Sequence, residues 1–335
     1  MNKSLNLNET KKPSIIELKK IELIHLKKQK FKRKRKIRLS KKFPTKIIYT
    51  IKSLSFFISL IIIYLSYKFL LKRKAFDEYK PHKVFIEAHR GVNREIFQNT
   101  KESILLAIKY GLDSFETDCW LTKDNVLVLV HGGFMGDISH FYNAHYKVVN
   151  RNWDELSKIR TKHGNYSMPR LDEIMKLTKN KIFMNLEIKD WRVDLVFQKI
   201  IELIVKYDYF EQIAISSFNH GYYKKVVEFN QNNTYGKNLS FGFLYGGGSN
   251  SKFYQYRLPN NSLNVLWTKI NKGVCDRAHR HDMAVMAWFY MGVDETDHLL
   301  KRLFDSGIDI LCSNDPVKAK KFRYKYYKHR KIRKR

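Results

Sequence analysis

The stretch VFIEAHRGVNREIFQNT, residues 84–100, decides how the rest of the chain is read. A short run with the composition of a buried strand passes directly into histidine, arginine and glycine, a trio that a core does not choose. The pattern returns downstream. Strand-like runs stand at DSFETD (113–118), VLVLV (126–130), IFMNLEI (182–188), IAISSF (213–218), LSFGFLY (239–245), MAVMAWF (283–289) and IDILC (308–312). Between most of them lie stretches with apolar residues at i, i+3 and i+4, including NTKESILLAIKYG (99–111), VDLVFQKIIELIVKYD (193–208) and ETDHLLKRLFDSG (295–307), which read as helices. Gly111 and Gly307 fall where a helix C-cap favours positive φ. Alternating strands and helices across 83–318 predict an α/β fold, a (β/α)8 TIM-type barrel. A Rossmann-like sheet is the rival, but no G-x-G-x-x-G opens the first helix.

A barrel gathers the C-terminal ends of its strands at one face. The residues at those ends are His89 and Arg90, Glu116 and Asp118, His131, Glu187 and Lys189, Ser217, and Trp288. Glu116 and Asp118 are two apart, so on a strand both carboxylates share a face, and Glu187 and Lys189 repeat that spacing. Adjacent inward carboxylates repel unless a cation or protons compensate, which is the signature of a metal site. The link CWLTKDNVLVLVH (119–131) is too short for a helical crossover and reads as a hairpin turning at Lys123–Asn125. Paired positions across such a turn sum to about 248. His131 then falls opposite Thr117, between the two carboxylates of the second strand.

Three oxygen donors without a thiolate favour a hard divalent cation, Mg2+ or Ca2+, over zinc. Such an ion polarises a phosphoryl oxygen, Arg90 and Lys189 suit the same anion, and His89 with His131 supply a base and an acid. Together these residues describe metal-assisted phosphodiester cleavage. Ser217 reads as structural, and His279 and His281 read as exposed residues before a strand.

The motifs AHRG with QNT eight residues on, FETDCWLTKDNVLVLVH, LEIK, ISSF, a later Trp and GIDILCSNDP, in this order, resemble the glycerophosphodiester phosphodiesterase family over residues 84–318. The resemblance implies a metal-dependent barrel with an inserted segment after the third strand, here 132–180. It implies hydrolysis of glycerophosphodiesters to a glycerol phosphate and an alcohol, with the substrate's 2-hydroxyl as first nucleophile. Position by position, it makes His89 and His131 catalytic and Glu116, Asp118 and Glu187 the metal ligands. Arg90 and Lys189 become phosphate contacts, and Trp288 the border of the glycerol pocket. Gln98, Gly132, Phe289 and the pair Ser313–Asn314 depart from the family's usual residues without removing any of these positions.

Charge and hydropathy organise the remainder. The formal charge is +32, yet residues 83–318 carry 31 Lys/Arg against 27 Asp/Glu, so the excess lies at the ends. A basic segment, 1–46, precedes IIYTIKSLSFFISLIIIYLSYKFLL (47–71), uncharged from Ser53 to Tyr67, which reads as an N-terminal transmembrane helix. A linker, 72–82, leads to the barrel domain, 83–318, and a basic C-terminal tail, 319–335, follows. Residues 27–46 hold 12 Lys/Arg and 72–83 hold five, which places the N-terminus in the cytosol and the barrel in the lumen or outside the cell. The near-neutral barrel argues against a nucleic-acid partner. A lysophospholipase D acting on lysophospholipids at the membrane and a non-catalytic membrane-anchored binding protein are the alternatives. Three cysteines do not make a disulfide framework.

Overall fold

The computed structural model describes residues 83–246 and 261–333. Its strands are β1 (Phe85–Ala88), β2 (Ser114–Leu121), β3 (Leu127–Leu129), β4 (Phe183–Ile188), β5 (Ile213–Ser217), β6 (Ser240–Tyr245), β7 (Ser262–Leu266), β8 (Ala284–Trp288) and β9 (Ile310–Ser313). The helices are α1 (Lys101–Lys109), the single turn α2 (Trp153–Leu156), α3 (Leu171–Thr178), α4 (Val193–Tyr207), α5 (Gly221–Asn232), α6 (Lys272–His279), α7 (Asp297–Ser306) and α8 (Pro316–Arg333). Strands β1, β2, β4, β5, β6, β7, β8 and β9 pair in parallel in that circular order, and β1 on β2 closes the ring. The helices of the described crossovers pack on the outside of the ring, so the strands' outward faces are apolar. Ile86, Phe115, Leu186, Ile215, Val265, Val285 and Leu311 are fully buried there.

Two expectations need correction. The run at 126–130 is not a barrel stave: β3 pairs antiparallel with β2 outside the ring, and its other edge carries only a short bridge to Pro169 and Arg170. The missing stave is β7, whose sequence SLNVL does not resemble a buried strand because its inward residues are polar. The barrel interior is polar at several levels, where bulky branched side chains are the norm. Glu87 accepts from Asn185 and from Ser114, both at 3.1 Å, and Ser216 donates to Asn185 at 2.8 Å.

The small core on β2 and β3, where Trp120, Val128, Val130, Ile138, Tyr142, Val148 and Leu156 pack together, extends only to Met168; the expected insertion 132–180 is shorter, because Leu171, Ile174 and Met175 of α3 pack in the barrel's own core. The expected tail boundary at 318 falls inside α8. That helix packs Ala319, Phe322 and Tyr326 against the barrel's jacket, and Val84 N–H donates to the Tyr327 hydroxyl at 3.2 Å. Among the described residues no helix is long and apolar enough to cross a membrane. The expected anchor at 47–71, the segment 1–46 and the linker 72–82 lie outside the described residues.

Candidate active site

Strand register brings the acidic residues together. Asp118 stands beside Glu187 across β2 and β4, and Glu116 lies two residues earlier on β2. One ligand oxygen from each of Glu116, Asp118 and Glu187 lies within 4.8 Å of the others, and all three residues are buried. Burial, then the charges of Asp118 and Glu187, pushes the Glu116 carboxyl well above its ordinary pKa. Burial also raises Glu187, against the pull of Lys189. Asp118 goes the other way: burial opposes its ionisation, but Lys189 and Arg90 outweigh burial and hold it ionised.

The compensating cations come from the same strand ends. Lys189 Nζ lies 2.6 Å from Glu187 Oε1 and 3.2 Å from Asp118 Oδ1. Arg90 donates its backbone N–H to Glu116 Oε2 at 2.9 Å, places Nε 3.3 Å from Asp118 Oδ2 and donates Nη1 to Gln98 at 2.7 Å. The turn that aims it is tight, with Arg90 at φ +60° and Gly91 at φ +78°, where an added Cβ would lie 2.4 Å from Ser103 Oγ. Two cations do not neutralise three carboxylates. Glu116 Oε1 is buried without a hydrogen-bond partner, while Asp118 Oδ1 and Glu187 Oε1 share the single ammonium of Lys189. A cluster of three buried carboxyls with one shared ammonium and one unpartnered oxygen fits a hard divalent cation held by all three residues.

The histidines flank this cluster. His89 Nδ1 lies 2.6 Å from Asn314 Oδ1, and Asn314 donates its own amide N–H to Tyr290 O at 2.8 Å, which fixes that amide's orientation. Nδ1 of His89 is therefore the protonated nitrogen. Nε2 keeps its lone pair and lies 3.9 Å from Glu116 Oε2. Buried Glu295 in turn accepts the Asn314 backbone N–H at 2.6 Å and the Ser313 hydroxyl. Burial and then Arg90 lower the His89 pKa to about 3. Burial likewise lowers His131 to about 4 while Asp118 works against it. The hairpin delivers His131 as its register requires: Cys119 faces Leu129, and Val130 N–H donates to Asp118 O at 3.0 Å. Trp120 Nε1 ties the His131 carbonyl at 3.1 Å. The next residue must be glycine, since a Cβ on Gly132, at φ +61°, would lie 2.9 Å from that indole nitrogen.

Trp288 ends β8 and joins this group through aromatics. Its ring meets Phe218 edge-on at 5.9 Å and Tyr290 at 5.1 Å, and Lys189 Nζ lies 5.8 Å from the Phe218 ring centre. Ser217 is structural as expected, donating to Ile188 O at 2.7 Å. His279 is half-buried, contrary to expectation, with Nε2 2.7 Å from Asp309 Oδ2.

The glycerophosphoryl diester phosphodiesterase family profile matches residues 89–318, more than half of the chain. The chain belongs to this family. A glycerophosphodiester phosphodiesterase of Caldanaerobacter subterraneus subsp. tengcongensis is 26% identical over 244 residues, 70% of this chain and 95% of the relative. Two solved structures share the fold. A glycerophosphodiester phosphodiesterase from Parabacteroides distasonis has a TM-score of 0.59 at 18% identity, over 73% of this chain and 99% of its own. A phosphodiesterase from Oleispira antarctica, in complex with the product sn-glycerol-3-phosphate, has a TM-score of 0.60 at 18% identity, over 71% of this chain and 96% of its own. Three side chains that order this site were given no role from the sequence, although two of them lie within the family's motifs. Asn99, at φ +54°, donates to Asp118 Oδ2 at 2.9 Å and accepts from Asp118 N–H at 3.1 Å. Its signal was its place in QNT, just before the α1 N-cap Thr100. Asn314 was visible only as a departure from the family pattern, and Glu295 only as part of a helix start.

Proposed function

We propose that this family member hydrolyses glycerophosphodiesters to a glycerol phosphate and an alcohol, with His89 and His131 as the proton-transfer pair. One observation carries the reading: the two histidines flank three buried carboxylates clustered within ligand distance of one point, with Glu116 Oε1 left without a partner. Glu116, Asp118 and Glu187 would hold Mg2+ or Ca2+, which when bound polarises a phosphoryl oxygen and offsets the charge that develops there. Arg90 and Lys189 keep further positive charge beside the diester. His89 Nε2, with its lone pair fixed by Asn314, takes the proton of the substrate's 2-hydroxyl as that oxygen bonds to phosphorus. His131 gives a proton to the departing alcohol oxygen as its P–O bond breaks. Water then opens the cyclic phosphate with the two roles exchanged. Trp288 and Phe218 border the glycerol. The lowered pKa of His131 belongs to the site without substrate, and an anionic phosphate beside the ring favours its protonated form.

A second reading has its own support. Phe218, Tyr290 and Met291 are 48%, 54% and 43% exposed, and Phe218 and Tyr290 flank Trp288. Such an apolar rim suits the single acyl chain of a lysophospholipid. The test is a panel of glycerophosphocholine, glycerophosphoethanolamine, glycerophosphoinositol and lysophosphatidylcholine, run on the wild type and His89→Ala, with products identified by mass. Glycerol phosphate from the first three supports the main reading. Lysophosphatidic acid from the fourth promotes the second, and turnover unchanged in His89→Ala sinks both. The segment 47–71 is proposed as a single-pass anchor with a cytosolic N-terminus. Protease outside sealed microsomes should then clip the first 46 residues and spare the barrel, whereas digestion of the barrel alone reverses the orientation.

A further inference from the structure

The opposite end of the barrel holds a second charged site. A pocket of about 310 Å3 is lined by Lys83, Lys320, Arg323, Tyr324, Tyr327 and Lys328. Five of these belong to α8 at i, i+3, i+4, i+7 and i+8, one continuous face of that helix. The sixth, Lys83, enters from the strand side just before β1. The walls are ordered by hydrogen bonds. Lys320 Nζ donates to Tyr110 O at 2.6 Å and Gly111 O at 2.8 Å, and Arg323 donates to Val84 O at 2.9 Å. The carboxylate nearest this wall, Asp113, is engaged by Arg323 and by the Ile86 N–H at 2.8 Å. Lys83 and Lys328 are exposed and make no ion pair among the described residues. Four cations gathered around one compensated carboxylate repel one another, and an anion in the pocket would relieve that repulsion.

We infer that this pocket binds the phosphate-bearing headgroup of a membrane lipid. A phosphate's several oxygens suit lysine, arginine and tyrosine donors arranged around one pocket, and the volume exceeds what a bare inorganic ion fills. Tyrosine beside lysine and arginine is also the mixture that settles at a bilayer interface. Chain order favours a lipid over a free phosphate, an argument that rests on the proposed anchor at 47–71: Lys83 follows the hydrophobic run Ser53–Tyr67 by only 15 intervening residues. The site lies at the strands' N-terminal ends, so it can be filled without obstructing the catalytic face.

The test uses the full chain in a neutral detergent and measures equilibrium binding of dioctanoyl phosphatidylglycerol, dioctanoylglycerol and inorganic phosphate by calorimetry. Phosphatidylglycerol should bind, and the uncharged dioctanoylglycerol should not. Lys83→Gln/Lys328→Gln should weaken the phospholipid by about tenfold. Lys321→Gln/Lys325→Gln, a charge-matched pair on the same helix outside the pocket, should change it less than twofold. Unchanged kcat/KM on a soluble diester in both pairs shows that the fold is intact, whatever that substrate proves to be. Equal weakening in the two pairs, or no weakening in either, overturns the site. Inorganic phosphate binding as tightly as the lipid, with the same dependence on Lys83 and Lys328, overturns the lipid assignment.

Discussion

The two ends of the barrel are built from the same strands and helices and carry opposite imbalances of charge. At the C-terminal end, three buried carboxylates face two cations, and Glu116 is driven toward its neutral form. At the N-terminal end, four cations face one engaged carboxylate, but Lys83 and Lys328 stand at the surface, where water screens them, and half-buried Lys320 and Arg323 are tied by hydrogen bonds. The difference is one of depth. Buried like charges perturb pKa values and call for a specific counter-ion, whereas exposed ones relax into solvent and bind only what the pocket's shape adds. The first end is thereby suited to chemistry and the second to adhesion.

The sharpest break between the ends should come from Glu116→Gln. It should lower kcat by about 10³-fold or more, because the loss of a cation ligand removes several kcal/mol of charge stabilisation. The sign for stability is opposite. A carboxyl whose folded pKa is raised stabilises only below its unfolded value, near 4.5, and that contribution is lost as pH rises. Without metal at pH 7, Glu116→Gln should therefore melt no lower than the wild type, and a large fall in Tm would contradict the buried repulsion. Next in size, His89→Ala or His131→Ala should each lower kcat by about 10²- to 10⁴-fold, with the double variant little worse, as for two groups acting as one unit. Multiplicative losses in single-turnover assays would separate their roles.

Asn314→Asp probes the link between His89 and its support. A carboxylate on Nδ1 favours the imidazolium, so the acid limb of the kcat/KM profile should move toward neutral pH while turnover at high pH falls less than about tenfold. An unmoved limb would mean that His89 does not set it. The smallest catalytic effect is expected at the other end. Arg323→Gln gives up its bonds to Asp113 and Val84 and should cost about 1–2 kcal/mol of stability by denaturant unfolding. Its kcat/KM should stay within twofold, and a large catalytic loss would show that the two ends are coupled.

How much of this was legible in sequence followed from how local each feature is. The β2–β3 register could be read because a tight turn fixes pairing, so the approach of His131 to the β2 carboxylates was available from position alone. The clustering of the three carboxylates could be read from i, i+2 spacing on two strands. Strand β7 could not, because Asn264 and Ser262 place polar groups inside a barrel where apolar ones are expected. Asn314 lies 225 positions from His89 and meets it only where β9 pairs with β1, and Glu295 reaches Asn314 across the 19 positions of the last crossover. The C-terminal helix did carry a signal that its charge concealed: Ala319, Phe322 and Tyr326 recur at i, i+3 and i+7, the docking stripe beneath a basic surface.

The central claim is that the carboxylate triad works by holding a divalent cation. Its most direct measurement follows diester hydrolysis and Tm together, after chelation and during titration with Mg2+ or Ca2+, at pH 5 and pH 7.5. Hydrolysis should vanish with chelator and return saturably with the ion. The accompanying rise in Tm should be larger at pH 7.5, because Glu116 and Glu187, both with raised pKa, must shed protons to bind it. Glu116→Gln should lose the return of activity and most of the rise in Tm. Full turnover in chelator, or ion binding undiminished in Glu116→Gln, would contradict the account.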